Sequence, residues 1–260
     1  MTFPAFSSSS DTRSVPVAGR FRSIWLRVAQ FALPNPCALC GNLSQNRLCE
    51  ACDAAYWNET RLRCTVCAIP LSGFRRANNA PYRCGDCIST PPAFDATLAL
   101  ADYRAPLDTL ALGLKFRARL MLAREFGERL AREADSALPP AERPDVVAPV
   151  PLARRRLIER GYNQAWEIAR PIAVALGVRS DPTLIRRVVD TAPQSRLDLD
   201  ARRDNVGRAF AAAKPVRGLH VAIVDDVMTS GATLEALART LKGAGARRVT
   251  NFVALRTPKN

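Results

Sequence analysis

Long apolar runs are missing from this sequence: none approaches the roughly 20 residues that a membrane-spanning helix needs. An integral membrane protein is therefore not expected. The start, MTFPAFSSSSDTR, lacks the basic n-region of a secretory leader, and Arg22 and Arg27 interrupt the one candidate apolar core for it. The expectation is a cytoplasmic chain with a disordered tail over 1–17. A short amphipathic helix then carries Ile24, Val28, Phe31 and Ala32 on one side. The same Ser- and Arg-rich, acid-poor start is also compatible with an organellar transit segment. Lysine is scarce, 4 against 34 arginines. The planar guanidinium fork suits phosphates, and the formal charge of +14 admits nucleic acid or a polyphosphate substrate without choosing between them. Few aromatics stand among the basic residues, which weakens a base-stacking platform for single strands. The dipeptide Gly-Lys is absent, which excludes a P-loop nucleotide site. No G-x-G-x-x-G opens a helix either; the nearest match, GAG at 243–245, lies at a helix end. The sole histidine, His220, begins a strand away from the cysteines and reads as structural.

Cysteine is absent outside residues 37–87, and within them it is dense: Cys37-x2-Cys40, Cys49-x2-Cys52, Cys64-x2-Cys67 and Cys84-x2-Cys87. With no export signal a disulfide framework is disfavoured. A C-x2-C hairpin presents two thiolates to one tetrahedral ion, and two hairpins complete a four-cysteine zinc site. Two structural Zn²⁺ ions are expected. Sequential grouping (Cys37, Cys40, Cys49, Cys52; then Cys64, Cys67, Cys84, Cys87) is preferred, with a cross-braced grouping as the alternative. Each four-thiolate site would carry about −2, lowering the chain from +14 to about +10.

Prolines 34, 36, 70 and 81 punctuate the cysteine-rich part, and STPPAF at 89–94 reads as its end. The division expected is a tail over 1–17, an amphipathic helix plus double zinc ribbon over 18–90, and a larger domain over 91–260. In the last, strands are predicted at 97–103, 145–151, 183–189, 220–226 and 248–255. Helices are predicted at 106–116, 119–138, 162–177 and 233–245, the third kinked by Pro171. Strand and helix alternate, so the fold class is α/β: a parallel sheet with helices on both faces, preceded by the cysteine-rich module.

In such sheets ligands sit outside the carboxyl ends of the strands. Asp225 and Asp226 end the clearest strand, and Val227, Met228, Thr229, Ser230, Gly231, Ala232 and Thr233 lead from it into a helix. A helix N-terminus offers unpaired N–H groups and a positive dipole end to an anion. Three hydroxyls and two small residues complete a phosphate cup. Carboxylates are acceptors and ribose presents adjacent hydroxyl donors, so the acids suit a sugar, directly or through a magnesium water, while the cup suits its 5-phosphate. Helix capping is the alternative use of the pair.

VAIVDDVMTSGATLEA resembles the phosphoribosyl-pyrophosphate (PRPP) motif of type I phosphoribosyltransferases. APVPLARRRLIERGYNQA at 148–165, TAPQSRLDLDARRDNVGRAF at 191–210, LKF at 114–116 and the cysteine-rich module are similar to the ComF family over residues 35–256. The resemblance implies a type I phosphoribosyltransferase fold, PRPP with Mg²⁺ as ligands, and a pyrophosphate loop at Leu152, Ala153 and Arg154. Asp225, Asp226, Arg154 and Lys115 would be the catalytic group. The family signature falls on Arg160, Gly161, Tyr162, Asn163 and Gln164, and further family positions on Gln194, Arg202 and Asn205 within a hood over 188–206. Bland alternatives stand beside these: a solvated basic turn for Arg154, Arg155 and Arg156, and a surface cation for Lys115. The family is associated with DNA uptake, so single-stranded DNA or a DNA-uptake helicase are the partners it implies; no oligomeric state follows. Three readings stay open: a phosphoribosyltransferase with an unnamed acceptor, a non-catalytic adaptor in transformation, and a PRPP sensor.

Overall fold

The computed structural model describes residues 34–57, 61–74, 82–188 and 209–259. The N-terminal tail, the amphipathic helix after it, and all but the first residue of the hood span lie outside the described residues. Two similar hairpins come first. In the first, β1 (Asn35–Pro36) pairs antiparallel with β2 (Leu43–Ser44), and α1 (Glu50–Tyr56) follows. In the second, β3 (Arg61–Arg63) pairs antiparallel with β4 (Pro70–Phe74), and α2 (Gly85–Ser89) follows. The knuckles repeat each other bond for bond. Cys37 N–H donates to the Asn42 carbonyl at 2.8 Å, and Cys64 N–H to the Ile69 carbonyl at 2.9 Å. The turn residue after the second cysteine is left-handed in both, Gly41 at φ +78° and Ala68 at φ +56°. Cys49 and Cys84 cap their helices and send their N–H groups to the Sγ atoms of Cys37 and Cys64, both at 3.3 Å.

The sulfurs fall into the sequential groups, each within 4.8 Å of one another: Cys37, Cys40, Cys49, Cys52 and Cys64, Cys67, Cys84, Cys87. A Zn–S bond of about 2.3 Å puts tetrahedral ligands about 3.8 Å apart. The Cys40–Cys49 and Cys67–Cys84 sulfurs are both 3.6 Å apart. Burial pushes the thiols of both tetrads up and raises Cys52, Cys67 and Cys87, whereas at Cys37 and Cys64 backbone N–H bonds outweigh it and bring them down to about 6 and about 7. Donors and spacing fit one zinc ion per tetrad.

The larger part is a five-stranded, wholly parallel sheet in the order β5 (Ala96–Asp102), β11 (Arg248–Arg256), β10 (His220–Met228), β6 (Val146–Pro149), β7 (Arg179–Ser180). An antiparallel pair, β8 (Ile185–Arg187) with β9 (Phe210–Ala212), stands apart from it. Helices lie on both faces because successive strand residues alternate sides. Val147, Ala222, Val224 and Phe252 pack with α3 (Asp108–Phe116), α4 (Leu120–Ala137) and α6 (Gln164–Leu176). Val146, Val221, Ile223 and Val249 pack with α7 (Ala232–Gly243). The tetrads divide likewise. Cys37, Leu48 and Cys52 join the first apolar cluster, and Cys64, Val66, Ile69 and Cys87 the second. Between β6 and α6 lies the short α5 (Arg154–Arg160). No described helix is long and apolar enough to cross a membrane.

His220 is fully buried, with Nε2 2.8 Å from the Thr250 hydroxyl, and burial holds its pKa below the usual value, as suits a structural histidine. The α6 helix runs through Pro171 as one element. The proline ring packs against Gly127 of α4, where a Cβ would stand 2.3 Å from Pro171 Cγ and 2.6 Å from the Ile168 carbonyl oxygen. Gly127→Ala is expected to destabilise the chain. Overpacking costs about 1–3 kcal/mol, and contact with a backbone oxygen puts it at the upper end, beyond the ~1 kcal/mol of helix propensity gained. A urea midpoint equal to or above wild type would contradict this packing.

Candidate functional site

The first five residues of β10 are buried, and Asp225, Asp226 and Val227 emerge half-buried at its carboxyl end. Each acid ties one oxygen to the chain. Asp225 Oδ1 accepts from Asp226 N–H at 2.9 Å, and Asp226 Oδ1 from Val227 N–H at 3.0 Å. The second oxygen of Asp226 is buried with no partner among the described residues. Burial first, then the neighbouring Asp226 charge, raises the Asp225 carboxyl well above the ordinary carboxylate value; the positive charge of Lys115 opposes this. Lys115, on the last turn of α3, is therefore brought within electrostatic reach of the acids. The Tyr162 hydroxyl donates to the Leu114 carbonyl, one residue before that lysine. Burial raises the Tyr162 phenol, and Asp226 pushes it the same way.

The register of the sheet sets two strand ends side by side. Val224 pairs with Pro149, and Val150 N–H donates to the Val224 carbonyl at 2.9 Å. The turn through Leu152 and Ala153 thus leaves β6 beside the acids and opens α5 at Arg154, where Arg154, Arg155 and Arg156 are all exposed. Asn163 steadies this turn: its Nδ2 donates to the Val150 carbonyl at 3.0 Å, while its Oδ1 caps α6 by accepting from Ala165 N–H at 3.0 Å. Gly161 is the left-handed cap of α5, at φ +75°. The signature divides beyond that point. Arg160 lies over the Phe116 ring at 5.6 Å, and Gln164 is buried with Nε2 unpartnered among the described residues. Gln194, Arg202 and Asn205 lie outside the described residues.

Thr229, Ser230, Ala232 and Thr233 are exposed at the mouth of α7. Gly231 caps the helix at φ +82°, a left-handed conformation that favours glycine. The other side of the loop is held from below. Arg256 Nη1 donates to the Met228 carbonyl at 3.1 Å and also to the Thr229 carbonyl, and Thr257 N–H reaches the Met228 carbonyl at 3.0 Å. Motif reading did not find Arg256. Its only trace in the sequence is a charge closing an apolar run, FVALR, that would ordinarily face water. An open depression of about 470 Å³ lined by Arg143, Asp145, Arg179 and Arg247 lies where the strands begin, at the opposite end from the acids.

An α/β sheet with an acid pair and a small-residue cup at one strand end defines a phosphoribosyltransferase-fold protein, and a profile of the phosphoribosyl transferase domain matches residues 167–259. A DNA utilization protein of Salmonella typhi is 34% identical over 233 residues, spanning 86% of this chain and 98% of that protein. Competence protein F of Haemophilus influenzae is 30% identical over 222 residues, 80% and 91% of the two chains. Competence protein ComFC of Bacillus subtilis is 26% identical over 219 residues, 81% and 85%. The chain belongs to the ComF family.

Two abutting acids at a half-buried strand end are strained without a ligand. A carboxyl whose pKa is raised by folding contributes stability below its unfolded value and loses it as pH rises through the folded value. Asp225→Asn should therefore raise the thermal midpoint of the ligand-free protein at pH 8, with a gain that shrinks as pH falls. A lower midpoint at pH 8, or a gain independent of pH, would contradict the assigned repulsion.

Proposed function

We propose that this chain binds PRPP with Mg²⁺ at residues 225–233 and transfers its ribose 5-phosphate to an acceptor, releasing pyrophosphate, in the service of DNA uptake. The observation that carries the reading is the half-buried acid pair, with one carboxylate oxygen unpartnered among the described residues, set directly before an exposed hydroxyl-lined cup. The amides at the start of α7 and the hydroxyls of Thr229, Ser230 and Thr233 receive the 5-phosphate. Asp225 and Asp226 accept from the ribose hydroxyls, which ends the isolation of Asp226 Oδ2. The turn Leu152–Ala153–Arg154 takes the pyrophosphate.

In the reaction the bond from ribose C1 to pyrophosphate oxygen breaks, its electron pair leaves with the pyrophosphate, and a lone pair of the acceptor forms the new bond to C1. Negative charge grows on the leaving group, so the cations Arg154 and Lys115 favour the transition state over the ground state. The acid pair faces the sugar ring where positive charge develops. Asp225 and Asp226 also have the chemistry to hold waters of a magnesium ion, which when bound supplies positive charge to the departing pyrophosphate. The described residues on either side of the hood span are joined as an antiparallel pair, β8 with β9, and Val188 N–H meets the Ala209 carbonyl at 2.8 Å.

The link to DNA uptake rests on relatives that are named DNA utilization and competence proteins. A second reading, an adaptor for single-stranded DNA or a DNA-uptake helicase, is favoured by the exposed arginines of α5 beside exposed Ile158.

Calorimetry with PRPP and Mg²⁺ tests the first reading. Replacing Thr229 and Ser230 by Val should cut affinity more than about a hundredfold, since each hydrogen bond to a charged group is worth about 1.5–3 kcal/mol. Asp225→Asn with Asp226→Asn should weaken PRPP while leaving inorganic phosphate unchanged or slightly tighter. Unchanged PRPP affinity in the Val pair, or tighter PRPP in the Asn pair, would put the ligand elsewhere. Binding of single strands alone, steeply salt-dependent, would favour the adaptor.

A further inference from the structure

Arg256 sits between two sites that the sequence treats as separate. It is 4% exposed, and no carboxylate pairs with it among the described residues. Its donors go to carbonyls instead. Nε reaches Cys67 O at 2.9 Å, and Nη1 reaches Met228 O at 3.1 Å together with Thr229 O and Thr257 O. Cys67 belongs to the second cysteine tetrad, and Met228 and Thr229 begin the cup. One rigid, planar group therefore spans from the knuckle of a metal site to the loop ahead of α7. A guanidinium transmits direction as well as charge, because fixing one N–H fixes the others.

A second tie runs beside the first. Asp102, 1% exposed at the end of β5, pairs across the sheet with Arg256. It accepts from Arg63 Nη2 at 2.8 Å and from Arg61 Nη1 at 3.1 Å. Arg63 also donates Nη1 to the carbonyl of Ala68, at 3.1 Å. Ala68 is the left-handed residue that closes the knuckle, a conformation costly for a side chain with Cβ and kept only where its surroundings enforce it. Tetrad, knuckle, Arg256 and cup thus form one continuous polar network on the β5–β11 edge. Among the described residues the first tetrad has no such path. It docks on α4, through Arg129 to Asp53 at 2.5 Å and Trp57 edge-on to Phe126 at 5.9 Å.

We propose that Arg256 is a positioning residue that couples metal occupancy of the second tetrad, and not of the first, to the shape of the loop at 228–231. A metal holding the Cys67 sulfur fixes the Cys67 carbonyl, that carbonyl aims the guanidinium, and the guanidinium keeps the Met228 and Thr229 carbonyls turned inward so that the following amides face the cup. Because coupling is reciprocal in binding free energy, an occupied cup tightens the second tetrad's hold on its metal. That last statement rests on the PRPP reading above; the first does not.

Amide exchange over 228–234, read without ligand, is the test. Cys87→Ser, which breaks the second tetrad, should speed exchange there by about fivefold or more, the lower end of ordinary coupling. Cys52→Ser, which breaks the first, should not. Arg256→Met should speed it with both zinc ions bound, and adding Cys87→Ser should then change it little further. Arg256→Lys, a point charge without the fork, should fall between. Protection in β6 and α6 reports whether each variant remains folded. Should Cys87→Ser unfold, zinc release to a chelator from Arg256→Met decides the matter: one ion should leave about fivefold faster than from wild type and the other at the same rate. No change in 228–234 with an emptied second tetrad, an equal response to both tetrads, or release from Arg256→Met indistinguishable from wild type would overturn the proposal. In a further arm, PRPP with Mg²⁺ should raise the zinc affinity of that one site, read by equilibrium competition with a chelator, in wild type and not in Arg256→Met. If PRPP fails to bind by calorimetry, the function reading falls while the exchange result still stands; if it binds without raising that affinity, the reciprocal coupling falls alone.

Discussion

Two carboxylates forced together at the end of a buried strand are the constraint around which this molecule is arranged. Like charges this close, partly out of water, oppose each other's ionisation. The chain leaves that opposition only partly relieved: each acid has one oxygen on the next backbone N–H, Lys115 acts from α3, and Asp226 Oδ2 has no partner among the described residues. On the proposed reading, such an arrangement gains from a ligand that brings hydroxyl donors and a divalent cation, so that ligand-free strain would become binding selectivity. The phosphate end of that ligand needs the opposite field, which the N-terminus of α7, three residues beyond Thr229, would supply.

Everything else positions that pair. Parallel pairing sets the ends of β6 and β10 level, so the turn before Arg154 opens beside the acids. On one face, the Gly127–Pro171 contact lets α4 and α6 approach closely. At the far edge, β5 would otherwise be a bare strand with unpaired groups, a hazard that natural sheets cover. Here the second ribbon lies against it: Thr97 N–H donates to the Thr65 carbonyl at 3.2 Å. The duplicated knuckles are chemically alike yet join opposite apolar clusters, which is why they differ in what they can influence.

Much of this was legible in the chain. Most elements of the larger part followed from periodicity: the apolar run HVAIV became the buried half of β10, and Leu122, Phe126 and Leu130 form the buried stripe of α4. The strand expected at 183–189 did not join the parallel sheet; it is β8, paired antiparallel with β9. Knuckle spacing favoured the sequential grouping of the sulfurs but left a cross-braced one open; the structure brings together the sequential groups. Pairings between distant charges were not legible. Asp102 and Arg256 each close an apolar strand, where local pattern predicts exposure, and both are buried because the ribbon covers that edge. Gln164 likewise reads as a polar helix start and is buried. Periodicity reports how a residue faces its own element and says nothing of what another segment lays over it.

The central claim is that one strand end reads the sugar and the adjoining helix mouth reads its phosphate. A crystal structure of the protein soaked with PRPP and Mn²⁺, with the manganese placed by its anomalous signal, tests this most directly. The account predicts manganese beside the carboxylates of Asp225 and Asp226 and the 5-phosphate against the amides and hydroxyls of residues 229–233. Manganese or phosphate found instead at the basic depression around Arg143 and Arg247, with the acid pair bare, would contradict it.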